Sequence, residues 1–350
     1  MKAELRMLAW EVTKRCNLNC SHCRASSTPE AAEGELTTRE AMQFIDELTS
    51  WARPVLILSG GEPLMREDIF EIARYGTSKG LRVVMATNGT LLTPEIVREV
   101  KASGIKRVSV SLDWSTPEGQ DRFRGTRGAF QRAMEGIGYL KEGGVEFQIN
   151  TTVTKDNFTE LWSLLALSER LGARAHHVFF LVPTGRGRKL QGRELSPEGY
   201  EEALLWLYRK MKEGRIEIKP TCAPHFYRIL VQKGEKLGRR DQRGFFGFSR
   251  GCLAGVGFCF LSSTGDVQPC GYFEVICGNV KEKPLKEIWE RSEVFLALRD
   301  PGNYKGKCGR CEYRFVCGGC RARALAVHGD FLAEEPYCLW EPKGAAAALQ

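Results

Sequence analysis

Between residues 7 and 182 the chain alternates short apolar or β-branched runs with longer stretches whose apolar positions recur at helical spacing. The short runs predict six strands, at Met7–Thr13, Val55–Ser59, Arg82–Thr87, Arg107–Leu112, Val145–Val153 and Ala175–Val182. The longer stretches predict helices at Thr38–Ser50, Glu67–Lys79, Pro94–Ser103, Gly128–Glu142 and Phe158–Leu171. This alternation is typical of a parallel sheet with right-handed crossovers. Because eight units close a full barrel, six units predict an α/β protein with a partial (β/α)6 TIM-type barrel.

The pattern changes after the sixth strand. A further helix is predicted at Pro197–Lys212, and from residue 251 onward the chain has short apolar runs, many glycines and nine cysteines. A segment of that composition cannot form a sufficient core from secondary structure alone, so we expect metal to help it fold. We therefore predict a barrel domain at 1–215, a basic linker at 216–250, a cysteine-rich domain at 251–342 and a tail at 343–350.

Composition indicates a globular protein. The 350 residues are 43% hydrophobic and 27% charged, values that exclude disordered, collagen-like and coiled-coil chains. There is no uncharged apolar run long enough to span a membrane, and the first residues do not resemble a secretory signal. We expect a cytoplasmic protein.

The positive charge is concentrated in one segment. The net charge is +8, and residues 184–250 alone contain 16 Lys and Arg against 8 Asp and Glu. Such an excess favours an anionic partner, although a solvated cationic face is an equally simple interpretation. No nucleic-acid-binding motif accompanies the charge, so we expect no nucleic acid partner.

Three of the 13 cysteines follow the first predicted strand closely. Cys16, Cys20 and Cys23 can bind three corners of a 4Fe–4S cluster, for which thiolates are the preferred ligands. The fourth iron would then stay open to a non-protein ligand. A structural zinc site normally has four protein ligands, so the triplet favours an iron–sulfur cluster.

The C-x3-C-x2-C triplet after a first strand resembles the radical S-adenosylmethionine (SAM) superfamily. Gly60-Gly61-Glu62-Pro63 after the second strand resembles the motif with which that family binds the methionine amino group. The resemblance implies that His22 lies against the adenine. It implies further SAM contacts at the tips of later strands and just beyond, at Asn88, Ser111, Asp113, Asn150 and Arg124.

The C-terminal cysteines resemble the SPASM extension of radical SAM enzymes, which carries auxiliary 4Fe–4S clusters. This resemblance implies one or two such clusters. The first would be bound by Cys252, Cys259, Cys270 and Cys320, and the second by Cys308, Cys311, Cys317 and Cys338. Cys259 lies in an apolar run and is alternatively a buried thiol, which would leave the first cluster with an open iron. Zinc ribbons are the alternative for the paired cysteines.

A finer resemblance, over nearly the whole chain, is to enzymes of the siroheme-dependent haem pathway that decarboxylate iron-coproporphyrin III. Among the segments that carry it are Leu181-Val-Pro-Thr-Gly-Arg-Gly187, Thr221-Cys-Ala-Pro-His225 and Val267-Gln-Pro-Cys-Gly-Tyr272. A substrate with four propionates fits the cationic segment. The resemblance suggests Arg186 and Arg188 as propionate ligands, and Cys222 and His225 as axial ligands to the substrate iron.

The implied reaction is the oxidative decarboxylation of two propionates to vinyl groups, giving haem b. It would require a reductant such as flavodoxin or ferredoxin, and an electron acceptor that the sequence does not identify. The alternatives are a 12,18-didecarboxysiroheme deacetylase, a peptide-modifying maturase and, outside enzymes, an iron–sulfur electron carrier.

Overall fold

The computed structural model describes residues 3–237 and 250–342. The tail predicted at 343–350 and residues 238–249 of the predicted basic linker lie outside the described residues. The strands are β1 Met7–Glu11, β2 Val55–Ser59, β3 Arg82–Thr87, β4 Val108–Ser111, β5 Phe147–Val153, β6 Ala175–Phe180, β7 Glu217–Thr221, β8 Phe258–Leu261, β9 Asp266–Gln268 and β10 Gly278–Asn279. The helices are α1 Thr38–Trp51, α2 Ile69–Ser78, α3 Pro94–Ala102, α4 Pro117–Arg124, α5 Ala129–Glu142, α6 Leu161–Leu171, α7 Pro197–Glu213, α8 His225–Gln232, α9 Leu285–Arg291, α10 Glu293–Arg299, α11 Gly306–Arg310 and α12 Arg321–His328.

These strands form one sheet in the order β10-β9-β8-β1-β2-β3-β4-β5-β6-β7. Each neighbouring pair from β1 to β7 is parallel, and helices connect successive strands from β1 to β7. The six strands expected from the hydrophobic pattern are present, and the predicted α/β class with a cysteine-rich C-terminal domain is confirmed. Because all these strands run parallel, their carboxyl ends meet at one edge of the sheet.

Strand β7 was not predicted, since Pro220 lies within it and proline has no amide hydrogen for a sheet bond. In the structure β7 pairs with β6 at the end of the sheet, an edge position where proline is tolerated. Helix α8 follows immediately. Residues 217–232, expected to belong to an irregular linker, are thus mostly strand and helix.

The cysteine-rich region joins the same sheet on its other side. Strand β8 pairs in parallel with β1, matching Met7 with Phe258, and β9 and β10 add antiparallel strands. This pairing brings the C-terminal cysteines next to the loop that follows β1. The limits predicted for the separate domains stay predictions.

The main core lies between the sheet and the helices around it. Its fully buried members include Trp10, Ile45, Leu56 and Val83, and it extends to Trp289 in the C-terminal region. Helix α3 begins as its sequence predicts, because Thr93 accepts a hydrogen bond from the backbone N–H of Ile96 and Pro94 occupies the first turn.

Helix α4 has no apolar periodicity and was not predicted. Thr116 caps its N-terminus by accepting a bond from Gly119, and Phe123 and Arg124 at its end are buried. Among the described residues there is no helix with the length and apolar content needed to cross a bilayer.

Candidate functional site

Cys16, Cys20 and Cys23 lie together in the loop that follows β1. Cys16 and Cys20 are buried and pack with Leu18, while Cys23 is half-buried beside them. Burial raises the pKa of the Cys16 thiol to about 11 and also raises that of Cys20. Free thiols here would therefore stay protonated at neutral pH, and a metal centre must displace those protons to bind.

The Gly60–Pro63 motif packs directly against this cysteine loop. The N–H of Gly61 donates to the carbonyl oxygen of Thr13 at 2.8 Å, and that of Glu62 donates to Arg15 at 2.7 Å. A Cβ atom on Gly61 would collide with the carbonyl oxygens of Lys14 and Arg15. Glycine is therefore needed here for the two loops to touch.

The Glu62 carboxylate is fully buried and accepts three hydrogen bonds. They come from the hydroxyl of Thr87 and from the backbone N–H groups of Leu64 and Asn88. Burial raises the pKa of Glu62 to about 7. Its contacts tie the motif to the end of β3, while Pro63 begins a short 3₁₀ turn.

The ends of β3 and β4 and the middle of β5 bring other predicted SAM contacts close to the cysteine loop. The side-chain amide of Asn88 donates to Asn17 at 2.8 Å and lies 4.0 Å from the Cys16 sulfur. Ser111 and Asn150 are partners in the β4–β5 register. Asn17, which sequence reasoning missed, could have been found from its position between two cysteines of the triplet.

Asp113 and Arg124 form a buried ion pair beside the cysteine loop. Asp113 also accepts a hydrogen bond from the N–H of Thr152 at 2.7 Å, and an Arg124 nitrogen lies 3.7 Å from the Cys20 sulfur.

His22 stacks on Phe123 with ring centroids 4.3 Å apart, and its Nε2 is 4.0 Å from Asp113. Burial lowers the pKa of His22 to about 4, so its imidazole is neutral at pH 7. Phe123 was missed because it belongs to the unpredicted helix α4.

The loop after β6 contacts the cysteine loop rather than presenting two free arginines. Arg186 donates from Nε to the carbonyl oxygen of Cys20 at 3.0 Å and from Nη1 to that of Ser27 at 2.6 Å. Arg188 is exposed and pairs with Glu274. Nη2 of Arg186 is buried and has no hydrogen-bond partner among the described residues, so the role of these two arginines as propionate ligands stays a prediction.

A second group of thiols contains Cys222, Cys252, Cys270 and Cys320. Burial is the largest cause that raises the pKa of the Cys222 thiol. The charges of the other three cysteines raise it further. Cys222, Cys270 and Cys320 also belong to one hydrophobic cluster with Phe273. Cys222 therefore lies where this group needs its fourth ligand. The sequence suggested a different role for Cys222, as an axial ligand to the substrate iron.

Cys259, predicted as that fourth ligand, points elsewhere. It is fully buried in the main core on β8, and the thiol near it is Cys277. Its strand neighbour Phe260 packs on the opposite side, against Arg24 and Gly271. Because successive residues of a strand face opposite sides of the sheet, Cys259 cannot face the cluster position that adjoins Gly271.

A third group consists of the predicted Cys308, Cys311, Cys317 and Cys338. All four line one cavity together with His225, Glu335 and Gly319. His225 is buried, and neither ring nitrogen has a hydrogen-bond partner among the described residues. Burial lowers its pKa to about 4. Its role as an axial ligand to the substrate iron stays a prediction.

The donor sets fit iron–sulfur clusters. One loop offers three thiols and an open position, and two further groups offer four thiols each, the ligand type that such clusters require. All thirteen cysteines are described and carry free thiols.

Comparisons with known proteins agree with this arrangement. Residues 10–167 match the radical SAM superfamily, and residues 252–312 match the SPASM iron–sulfur cluster-binding domain. The chain is 56% identical to an AdoMet-dependent heme synthase of Methanosarcina barkeri, over 96% of this chain and 97% of that protein. It is 50% identical to an AdoMet-dependent heme synthase of Nitratidesulfovibrio vulgaris, over 97% and 93%. An Fe-coproporphyrin III synthase of Methanosarcina barkeri is 33% identical, over 95% and 87%.

Solved structures share the fold at low sequence identity. Streptococcus suis SuiB bound to S-adenosylmethionine superposes with a TM-score of 0.76 at 16% identity, covering 97% of this chain and 78% of that one. The structure of anSMEcpe with bound AdoMet and a peptide gives 0.69 at 20% identity, covering 96% and 94%.

Proposed function

This chain belongs to the radical SAM superfamily and, within it, to the family of AdoMet-dependent heme synthases, and we propose that it makes haem b from iron-coproporphyrin III. The observation that carries the proposal is the 56% identity to a heme synthase over nearly the full length of both chains. The three groups of thiols are the sites that such a radical oxidation needs.

The bound cluster and SAM would supply a 5′-deoxyadenosyl radical that removes a hydrogen atom from a propionate β-carbon. The resulting substrate radical loses carbon dioxide and one electron, and a vinyl group remains. The hydrogen leaves on 5′-deoxyadenosine, so atoms and electrons balance. Two such events convert the tetrapyrrole into haem b, and each needs one molecule of SAM and one reducing electron.

The residues at the carboxyl edge of the sheet would hold SAM. We propose that His22 and Phe123 contact the adenine, and that the Gly60–Pro63 segment contacts the methionine amino group. The remaining SAM contacts are proposed at Asn88, Ser111, Asp113, Arg124 and Asn150. The buried Asp113–Arg124 ion pair places a cation beside Cys20, where it can orient a carboxylate and the cluster loop together.

The auxiliary thiols would hold clusters that accept the electron. We propose Cys222, Cys252, Cys270 and Cys320 as ligands of the first and Cys308, Cys311, Cys317 and Cys338 as ligands of the second. The first group adjoins Gly271, whose carbonyl accepts a hydrogen bond from Arg24, next to Cys23. This contact indicates a short path between the radical site and the first auxiliary group.

The partners follow from the chemistry. Iron-coproporphyrin III is the proposed substrate, and a flavodoxin or ferredoxin is the proposed reductant. A separate one-electron acceptor must reoxidise the auxiliary clusters. The cytoplasm is the proposed compartment, since it keeps unligated thiols reduced.

The test is anaerobic turnover of the reconstituted protein with SAM, a reductant and iron-coproporphyrin III. Loss of two carboxyl groups by mass spectrometry supports the proposal. Cys20→Ala should abolish deoxyadenosine formation, whereas Cys311→Ala should retain part of it. Deoxyadenosine without any change in the macrocycle would overturn the substrate assignment and direct attention to a deacetylase or a peptide maturase. If the unaltered protein forms no deoxyadenosine, the remaining alternative is an iron–sulfur electron carrier.

A further inference from the structure

Arg321, the first residue of α12, is a fully buried cation in contact with a thiol of the third group. Its side chain is 1% exposed, and one of its terminal nitrogens lies 3.4 Å from the Cys308 sulfur. Arginine is not deprotonated in proteins, so this buried side chain is a guanidinium.

The remaining contacts of Arg321 are neutral. It donates to the carbonyl oxygens of Phe331 at 3.1 Å and Ala333 at 2.6 Å, and it lies over the ring of Tyr304 at 4.6 Å. Within the described residues no carboxylate lies within 4.0 Å of it. An isolated buried charge costs several kcal/mol, so a cation here requires an anion close by.

The nearest buried carboxylate is already used. Glu335 pairs with Arg323 at 3.0 Å and accepts a hydrogen bond from the N–H of Cys320 at 2.6 Å. Arg323 in turn donates to the carbonyl oxygen of Cys222 at 2.8 Å. Arg323 is therefore neutralised by Glu335, whereas Arg321 is paired with no carboxylate among the described residues and its guanidinium contacts the Cys308 sulfur.

Gly319 makes the contact between Arg321 and Cys308 possible. Its backbone has φ +59°, and a Cβ atom on it would collide with Arg321 and lie 3.1 Å from the Cys308 sulfur. The compact Cys317-Gly318-Gly319-Cys320 segment thus leaves room for the guanidinium to reach the thiol.

We propose that Arg321 is a positioning residue that raises the reduction potential of the cluster bound by Cys308, Cys311, Cys317 and Cys338. This inference rests on the auxiliary clusters of the proposed function. A thiolate-bound 4Fe–4S cluster is anionic and gains one more negative charge on reduction, so a buried cation stabilises the reduced form more than the oxidised form. Hydrogen bonds to the ligand sulfurs act in the same direction.

The position of Arg321 also predicts which cluster is affected more. Its guanidinium lies 3.4 Å from the sulfur of Cys308, a proposed ligand of the second auxiliary cluster. Arg321 therefore favours electron transfer toward the cluster at Cys308. That is the direction needed to draw an electron away from the substrate.

The test is a redox titration followed by electron paramagnetic resonance on full-length protein in which Cys16, Cys20 and Cys23 are alanine. The signals then come from the auxiliary clusters alone. Arg321→Gln should lower the reduction potential of the Cys308 cluster by at least about 59 mV. For a one-electron couple this is a tenfold change in the equilibrium constant for reduction. The other auxiliary cluster should shift less.

Arg310→Gln is the matched control, because Arg310 lies between two ligands in sequence but is exposed to solvent. Water screens that charge, so the potential should hardly change. Arg321→Lys should retain most of the potential because it keeps the charge. If the Arg321→Gln protein does not retain the cluster, the Arg321→Lys protein provides the test. A cluster potential equal to that of the parent then supports the proposal, and a tenfold weaker reduction of the cluster overturns it.

An Arg321→Gln protein with an intact cluster and an unchanged potential would also overturn the proposal. This readout does not involve the tetrapyrrole. A wrong substrate would therefore leave it unaffected, whereas absence of an auxiliary signal from the parent protein would overturn the proposed cofactors instead.

Discussion

The Nε of Arg186 donates to the carbonyl oxygen of Cys20 at 3.0 Å, across 166 positions of the sequence. The same guanidinium donates to Ser27, and the Arg186 N–H donates to the carbonyl oxygen of Cys23 at 2.9 Å. The loop after β6 therefore holds the cysteine loop after β1 by three hydrogen bonds. The conformation of the three-thiol loop depends on the far side of the barrel.

Arg186→Ala should disturb the first cluster. The variant leaves the buried Ser27 carbonyl oxygen without its Arg186 donor, at a cost of about 1–3 kcal/mol, and the Cys20 carbonyl oxygen keeps the bond from the Cys23 N–H at 3.3 Å. We expect reduced iron content in this loop and at least a tenfold loss of deoxyadenosine formation, measured by chromatography in the absence of tetrapyrrole. Arg188→Ala, at an exposed position, should behave like the parent. An intact first cluster with weaker tetrapyrrole binding would instead support the propionate role expected from the sequence.

Cys222→Ala should remove the ligand that completes the first auxiliary group. We expect the protein to lose up to about four irons per chain, together with one auxiliary spectroscopic signal. Cys259→Ala is the control, since that thiol lies in the main core and should leave the iron and sulfide content unchanged. The opposite pattern, with iron lost only from the Cys259 variant, would restore the ligand set predicted from the sequence.

Gly61→Ala should separate the Gly60–Pro63 segment from the cysteine loop, because the added Cβ collides with the Lys14 and Arg15 carbonyl oxygens. We expect SAM affinity, measured by equilibrium dialysis, to fall at least tenfold. Gly138→Ala provides the control within α5, where nothing lies within 4 Å of the new methyl group. That substitution should stabilise the helix by about 0.5–1 kcal/mol. Equal SAM affinity in both variants would contradict the predicted contact.

Acid should destabilise the fold through its buried histidines. Burial lowers the pKa of His176 to about 3, and its ring nitrogens lie 2.9 Å from the Thr151 hydroxyl and 3.1 Å from that of Ser168. A histidine with a depressed folded pKa contributes stability above the unfolded value of about 6.5, and that contribution falls as the pH drops below it. His176 alone should account for about 1 kcal/mol at pH 5.5.

The measurement is the urea midpoint at pH 7.5 and pH 5.5, under anaerobic conditions. The fall in the urea midpoint from pH 7.5 to pH 5.5 should be smaller for His176→Gln than for the parent protein. His328→Gln, at an exposed position, should leave the difference unchanged. If the urea midpoint falls equally on acidification in the His176 variant and in the parent, the acid sensitivity does not come from His176.

The sequence alone was sufficient for features that depend on neighbouring residues. Six parallel strands followed from hydrophobic spacing, and the cap at Thr93 fixed the start of α3. Cys16, Cys20 and Cys23 lie within eight residues of one another, so the sequence alone brings them into one loop. Helix α4 and strand β7 escaped prediction because one lacks apolar periodicity and the other contains Pro220.

Only the tertiary structure decided which distant residues complete each site. Cys259 is seven residues from Cys252 and Cys222 is thirty, yet the pairing of β8 with β1 points Cys259 into the core, whereas Cys222 lies beside Cys320. The structure places the half-buried Arg186 and the buried Arg321 in contact with cysteine loops, which their positions in the sequence did not indicate. The physical reason is that spacing along the chain fixes local contacts, whereas strand register fixes which side of the sheet a side chain faces.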